Sequence, residues 1–146
     1  MRVSNPTDTE QIKDVFQQLF TAWSEGDAVK FADQFTDHVD YITFNGQHIK
    51  GKREVETIHD QLFTGILKGS KMKGEVTDIR FLNEETAIAY CIGNTKMKWQ
   101  KNFSEKRSSI NTNVLSKESG SWKITSFHNC RIKKPSAILK LLTKTK

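Results

Sequence analysis

Between Lys71 and Ile132 the chain offers four long stretches of alternating apolar and polar residues with very little between them. The alternation predicts strands over Lys71–Leu82, Thr86–Trp99, Lys106–Lys117 and Trp122–Ile132. Their joints are Asn83-Glu84-Glu85, a loop around Asn102–Glu105, and Ser119-Gly120. Joints this short cannot carry a crossover connection, so consecutive strands have to run antiparallel as a meander. Such a sheet needs a covering layer, and the residues before Lys71 have to provide it.

They read as helices around one hairpin. Ile12, Val15, Phe16, Leu19, Phe20 and Trp23 recur at helical spacing, and Pro6-Thr7-x-x-Glu10 ahead of them reads as a capping box. Ser24-Glu25-Gly26-Asp27 then ends one helix and starts another, Gly26 suiting a C-terminal left-handed residue and Asp27 an N-cap. The second helix is expected over about Ala28–Gln34, with Phe31, Ala32 and Phe35 on its apolar face. Asp37 to Phe44 switches to strand chemistry, and Asn45-Gly46 predicts a two-residue hairpin loop. From Gly51 to Gly65 the helical period returns. Val55, Ile58, His59, Leu62, Phe63 and Ile66 occupy one stripe; Glu54, Glu56, Asp60 and Gln61 occupy the other.

The expected fold is therefore α+β: three N-terminal helices packed on a strongly curved, mostly antiparallel sheet. At 146 residues the chain suits one domain, placed at residues 1–132. Hydrophobic content is only 36%, but nine Phe and three Trp bury much area per residue. No stretch has the length of a membrane span and none resembles a secretory leader, so a cytoplasmic protein is expected. Cys91 and Cys130 are expected as free thiols. The net charge of +6 resides in the last sixteen residues, where Arg131, Lys133, Lys134, Lys140, Lys144 and Lys146 meet no acid. Residues 1–130 balance 17 basic against 17 acidic side chains, which argues against a nucleic-acid-binding face. Residues 133–146 form a basic tail that could add a short helix.

Ala22-Trp23-x-x-Gly26-Asp27, Phe31-Ala32, Asp40-Tyr41, Gly46, Gly51, Ile58-His59-x-x-Leu62-Phe63 and Trp122-x-Ile124-x-x-Phe127-His128-Asn129 occur in an order that resembles the NTF2-like (cystatin-like) superfamily. In detail the chain looks like its SnoaL-like branch, the SgcJ/EcaC group, over about residues 8–130. The resemblance implies a cone-shaped α+β barrel with an apolar pocket under the helices. It also implies a class hosting isomerases, dehydratases, cyclases and non-catalytic adaptors, commonly dimeric through the sheet. No glycine-rich dinucleotide loop is present, so no cofactor is expected. Nor does the chain carry a metal-ligand spacing.

Polar residues able to enter such a pocket are the functional candidates. His59 lies within an apolar helix stripe, where an imidazole can serve as acid or base, or simply be a satisfied core histidine. By a period of two, His128 shares the face of Trp122 and Ile124, and Asn129 takes the opposite one. Asp40 and Tyr41 sit on opposite faces of the first strand, a carboxylate suiting proton abstraction and a phenol an oxyanion. His59, His128 and Asp40 are thus the catalytic candidates; Trp23, Tyr41, Tyr90 and Asn113 are the ligand-binding ones. The expected ligand is a small, mostly apolar molecule bearing a carbonyl or hydroxyl. A non-catalytic dimeric module is the alternative.

Overall fold

The computed structural model describes residues 6–133. The tail from residue 134 onward, with the short helix expected there, lies outside the described residues. Helix α1 (Pro6–Glu25) buries Ile12, Val15, Phe16, Leu19, Phe20 and Ala22 along one stripe. Pro6 takes the first helical position, where its missing N–H would have had no partner, so Thr7 lies in the first turn and not at the cap. Asp8 instead fixes this end of the helix. Its Oδ1 accepts from Trp122 Nε1 and from Lys117 Nζ, both at 3.0 Å. The Trp122 bond first, then Lys117, hold its carboxyl below the usual carboxylate range.

The other end of α1 closes as the sequence predicts. Gly26 takes φ +69°, its N–H donates to Trp23 O, and the Asp27 N–H donates to Ala22 O, both at 2.9 Å. That is a Schellman closure. Asp27 then caps α2 (Ala28–Ala32), accepting from the Lys30 N–H at 3.0 Å. Strand β1 (Phe35–Ile42) follows, starting two residues before the predicted Asp37, and turns into β2 (His48–Lys50). Their hairpin is not the expected two-residue loop. The Gly46 N–H donates to Thr43 O, and Gly46 has φ +88° while Asn45 keeps a negative φ. This is a three-residue loop, a type I turn followed by a left-handed glycine. Helix α3 (Lys52–Thr64) completes the covering layer.

Strands β3 (Lys71–Asn83), β4 (Thr86–Lys96), β5 (Ser108–Glu118) and β6 (Ser121–Arg131) form the predicted meander, with a 3-10 turn at Glu105–Arg107. The six strands are ordered β2-β1-β6-β5-β4-β3. All neighbours are antiparallel except β1 and β6, which run parallel with Tyr41 opposite Phe127. Edge strands β2 and β3 do not pair, so the sheet is open and not the closed barrel implied by the resemblance. The core lies between the helices and one face of the sheet, which presents Ala87, Ala89, Cys91, Leu115, Trp122 and Ile124.

Two bulges decide which residues face that core. On β6, Leu115 pairs with Ile124 but Val114 pairs with Ser126, leaving Thr125 without an opposite residue. On β3, Val76 pairs with Cys91 and Asp78 with Tyr90, leaving Thr77 extra. Each insertion reverses the side-chain parity beyond it.

A close approach adds one further constraint. A Cβ at Gly74 would stand 2.6 Å from Ile92 O and 2.8 Å from Phe20 Cζ, whereas one at Gly93 would meet nothing nearer than 3.8 Å. Gly74→Ala is therefore expected to destabilise by about 1–3 kcal/mol through overpacking, and Gly93→Ala by less. Urea denaturation of the two variants checks this; equal midpoints would mean that the β4 backbone at Ile92 and the Phe20 ring both give way freely.

Candidate functional site

Between the helices and the interior face of the sheet lies a cavity of about 500 Å³. Such a volume is within the usual range of ligand sites. Leu19, Phe20 and Trp23 of α1, Ile58 and Leu62 of α3, and Met72 of β3 make an apolar wall. Phe31, Tyr41 and Phe127 form an aromatic floor, and Ser109, Asn111, Asn129, Arg107 and Arg131 a polar end.

His59 is the central polar group. On α3 it follows Val55 by one turn and precedes Phe63 by one, and all three are buried. Its ring stacks on Phe31 with centroids 4.3 Å apart and meets Trp23, Tyr41 and Phe63 edge-on or tilted. Nδ1 lies 2.8 Å from Val55 O. A carbonyl can only accept, so Nδ1 carries the proton. Burial in this aromatic surround outweighs that hydrogen bond and lowers the pKa from 6.5 to about 4. The neutral ring thus leaves Nε2 as an acceptor, and the Tyr41 hydroxyl donates to it at 3.3 Å. Burial raises the Tyr41 pKa, so the phenol keeps its proton. The result is a directed chain: Tyr41 O–H to His59 Nε2, and His59 Nδ1–H to the Val55 carbonyl. The Tyr41 oxygen retains its own capacity to accept.

The other candidates divide by position. Trp23 lines the cavity, its Nε1 donating to Ser70 Oγ at 3.0 Å. Asn113 is wholly buried below the polar end, its Nδ2 donating to Asn111 Oδ1 at 2.7 Å and to Ala89 O at 3.3 Å. Asp40 is exposed and pairs with His48 at 2.8 Å, outside the cavity. Strand alternation has sent Tyr41 inward and Asp40 outward. His128 also faces away: the bulge at Thr125 turns Phe127, Asn129 and Arg131 inward and leaves His128 exposed. The parity expected for His128 and Asn129 is therefore reversed. Tyr90 stands on the outer face with Ile88 and Ile92, while Ala89 and Cys91 point inward. Asn111, Asn129, Arg107 and Arg131 are the site residues the sequence did not single out. Asn111 shares the face of Asn113 by the period of two, Arg107 lies in the 3-10 turn before β5, and Asn129 and Arg131 lie beyond the bulge on β6. For Asn129 and Arg131 the apolar spacing of three from Ile124 to Phe127 was the available signal. Among the described residues no cluster of His, Cys, Asp or Glu could hold a metal ion, and no helix is long and apolar enough to cross a membrane.

An α+β chain with three helices over a sheet ordered this way has the cystatin-like fold of the NTF2-like superfamily. Within it the protein belongs to the SnoaL-like domain family, whose model matches residues 12–130. A domain of unknown function from Nostoc punctiforme superposes with a TM-score of 0.84 at 29% identity, covering 97% of this chain and 86% of that one. A protein from Novosphingobium aromaticivorans, provisionally named a scytalone dehydratase, gives 0.72 at 11% identity over 87% and 85%. One from Thiobacillus denitrificans, provisionally named a calcium/calmodulin-dependent protein kinase type II association domain, gives 0.70 at 12% over 82% and 93%. No curated protein matches the sequence.

The depressed His59 pKa makes stability depend on pH. In the unfolded chain the imidazole takes up a proton as pH falls through 6.5; in the folded chain it resists until about 4. Stability is thus full above pH 6.5 and is lost progressively down to about 4, by about 3 kcal/mol in all. Urea denaturation between pH 7 and 4 is expected to show this loss in wild type and a correspondingly smaller one in His59→Gln. Parallel pH profiles would place the ring in a wetter setting than the structure gives it.

Proposed function

We propose that this protein binds a small, mostly apolar molecule in its cavity, and that the Tyr41–His59 pair meets a hydroxyl or carbonyl on it. One observation carries the reading: a ligand-sized cavity with apolar walls has a buried, hydrogen-bonded tyrosine–histidine pair in its lining. The Tyr41 oxygen suits a ligand hydroxyl as acceptor, and its O–H can turn from His59 towards a ligand carbonyl. Proton-transfer chemistry of isomerase, dehydratase or cyclase type would run through the same pair, without a cofactor. Tyr41 would exchange a proton with the ligand and His59 would hold it. A neutral imidazole with a pKa near 4 is a weak base at neutral pH, and neither Asp40 nor His128 is placed to assist it. Binding is the half of the proposal that asks no base strength of the pair. The dehydratase name carried by one neighbour is compatible with either half.

A thermal-shift panel of apolar carbonyl and hydroxyl compounds, polycyclic ones included, tests it on wild type and Tyr41→Phe. A ligand at a hundred times its dissociation constant adds about 2.7 kcal/mol of stability. Compounds that raise the wild-type midpoint are expected to lose much of that shift in Tyr41→Phe, which keeps the ring and removes only the hydroxyl. Equal shifts in both proteins would take the pair out of the site.

A second reading, assembly as a homodimer, is favoured by the outer face of the sheet. Ile92 and Ile110 are each 39% exposed there and directly opposite one another, beside Ile88, Tyr90 and Val114. Sedimentation should give a dimer for wild type and a monomer for the double variant Ile92→Glu, Ile110→Glu. A monomeric wild type would exclude it.

A further inference from the structure

We propose that the cavity takes its ligand as an anion, an amphipathic molecule whose carboxylate is held by Arg131, Asn111 and Ser109 at the polar end. This rests on the cavity being a ligand site, and adds the ligand's charge and length.

Charge is the first argument. The described residues lining the cavity include two arginines, Arg107 and Arg131, and no aspartate or glutamate. Among the described residues neither arginine forms a salt bridge. Arg131 is instead held by neutral groups. Its Nη1 donates to Lys106 O at 3.1 Å, and its guanidinium lies over the Phe44 ring at 4.7 Å. Its Nε is buried with no acceptor. An unpaired buried donor on a cation is costly, and a turn of the side chain that brings Nε to the cavity would let a carboxylate bound side-on to Nε and Nη2 supply the missing partner.

Register is the second argument. Ser109 pairs with Arg131 and Asn111 with Asn129, so these four side chains form two adjacent rungs on the interior face of β5 and β6. The orientation of Asn111 is fixed from below. Asn113 Nδ2 donates to the backbone carbonyl of Ala89 and therefore presents a donor to Asn111 as well. The Asn111 atom that receives it must be Oδ1, which leaves the Asn111 amide N–H groups for the cavity. Asn111 is only 7% exposed, so this donor is set in a nearly closed wall. Amide, guanidinium and hydroxyl donors on neighbouring rungs match the two oxygens of one carboxylate.

The strands also set the ligand's length. Phe127, which stacks on Tyr41 with centroids 4.4 Å apart, lies four residues before Arg131 on β6. At the strand rise this is on the order of 13 Å. A ligand with its carboxylate at Arg131 would therefore carry its hydroxyl or carbonyl at the far end of an apolar body, beside Tyr41.

Calorimetric titration with matched acid and alcohol pairs tests the proposal: decanoate and decanol, naphthylacetate and naphthylethanol, pyrenebutyrate and pyrenebutanol. For at least one pair, wild type is expected to bind the acid about tenfold or more tightly than the alcohol, the size of one buried charged hydrogen bond. Arg131→Gln should remove that preference, weakening acid binding about tenfold or more relative to alcohol binding. Asn111→Asp is the second variant: it still accepts from Asn113, but sets a like charge against the carboxylate, and should abolish acid binding alone. Far-UV circular dichroism establishes that each variant is folded. Equal affinity for acid and alcohol in wild type, or variants that weaken both alike, would overturn the anion site while leaving a ligand cavity standing. No binding by any member of any pair would overturn both readings.

Discussion

Thr125 is one residue more than its partner strand can match, and the polar content of the cavity depends on it. Before it, Trp122 and Ile124 point into the core; after it, Phe127, Asn129 and Arg131 do. Without the insertion, a strict alternation would present Ser126, His128 and Cys130 to the cavity and send the arginine and the asparagine outward. The insertion is tied down, since Thr125 Oγ1 hydrogen-bonds Thr36 Oγ1 of β1 at 3.1 Å. That contact joins the bulge to the neighbouring parallel strand, whose Tyr41 stacks on Phe127 just past it. One extra backbone residue thereby chooses arginine over histidine as the side chain this strand turns into the cavity.

His59 is governed by the opposite kind of constraint, exclusion from water. Its neighbours are rings, and its two nitrogens are used by a helix carbonyl and a tyrosine hydroxyl. Among the described residues no carboxylate stands by to stabilise a positive ring, so the same packing that fixes its tautomer weakens it as a base. A buried aromatic cluster therefore supplies a rigid, neutral hydrogen-bonding pair rather than a strong catalyst. This is a site better suited to hold and orient a polar group than to remove a proton from an unactivated carbon.

Much of the architecture was legible because it is local. The stripe from Ile12 to Trp23, the Gly26-Asp27 joint and the four alternating stretches after Lys71 each declare themselves within a dozen residues. The parallel pairing of β1 with β6 has no such signature, since it joins segments about ninety residues apart. The hairpin type was misjudged because Asn-Gly suits more than one loop, and only the φ of Asn45 separates them. The candidate site was legible where alternation is unbroken, as for Tyr41 against Asp40, and where a helix stripe contains a lone histidine. It failed at His128, Asn129 and Arg131, although the apolar residues had already stepped by three from Ile124 to Phe127. The same step from Val76 to Ile79 marks the bulge on β3.

Why a cavity persists at this place follows from the interior row of β4. Ala87, Ala89, Cys91 and Gly93 are all small. A sheet row without bulk leaves volume above it that other elements must fill. At the Ala87 end the filling is complete: Ala87, Ala89 and Cys91 are wholly buried, and Trp122 and Phe81 pack edge-on nearby with centroids 5.9 Å apart. At the Gly93 end α1 has run out. Its last interior residue, Trp23, is held back by its hydrogen bond to Ser70, and the chain turns away at Gly26. Gly93 and Thr95 consequently line open space. The helix stop and the small-residue row are separate features of the sequence, and the cavity lies where they coincide.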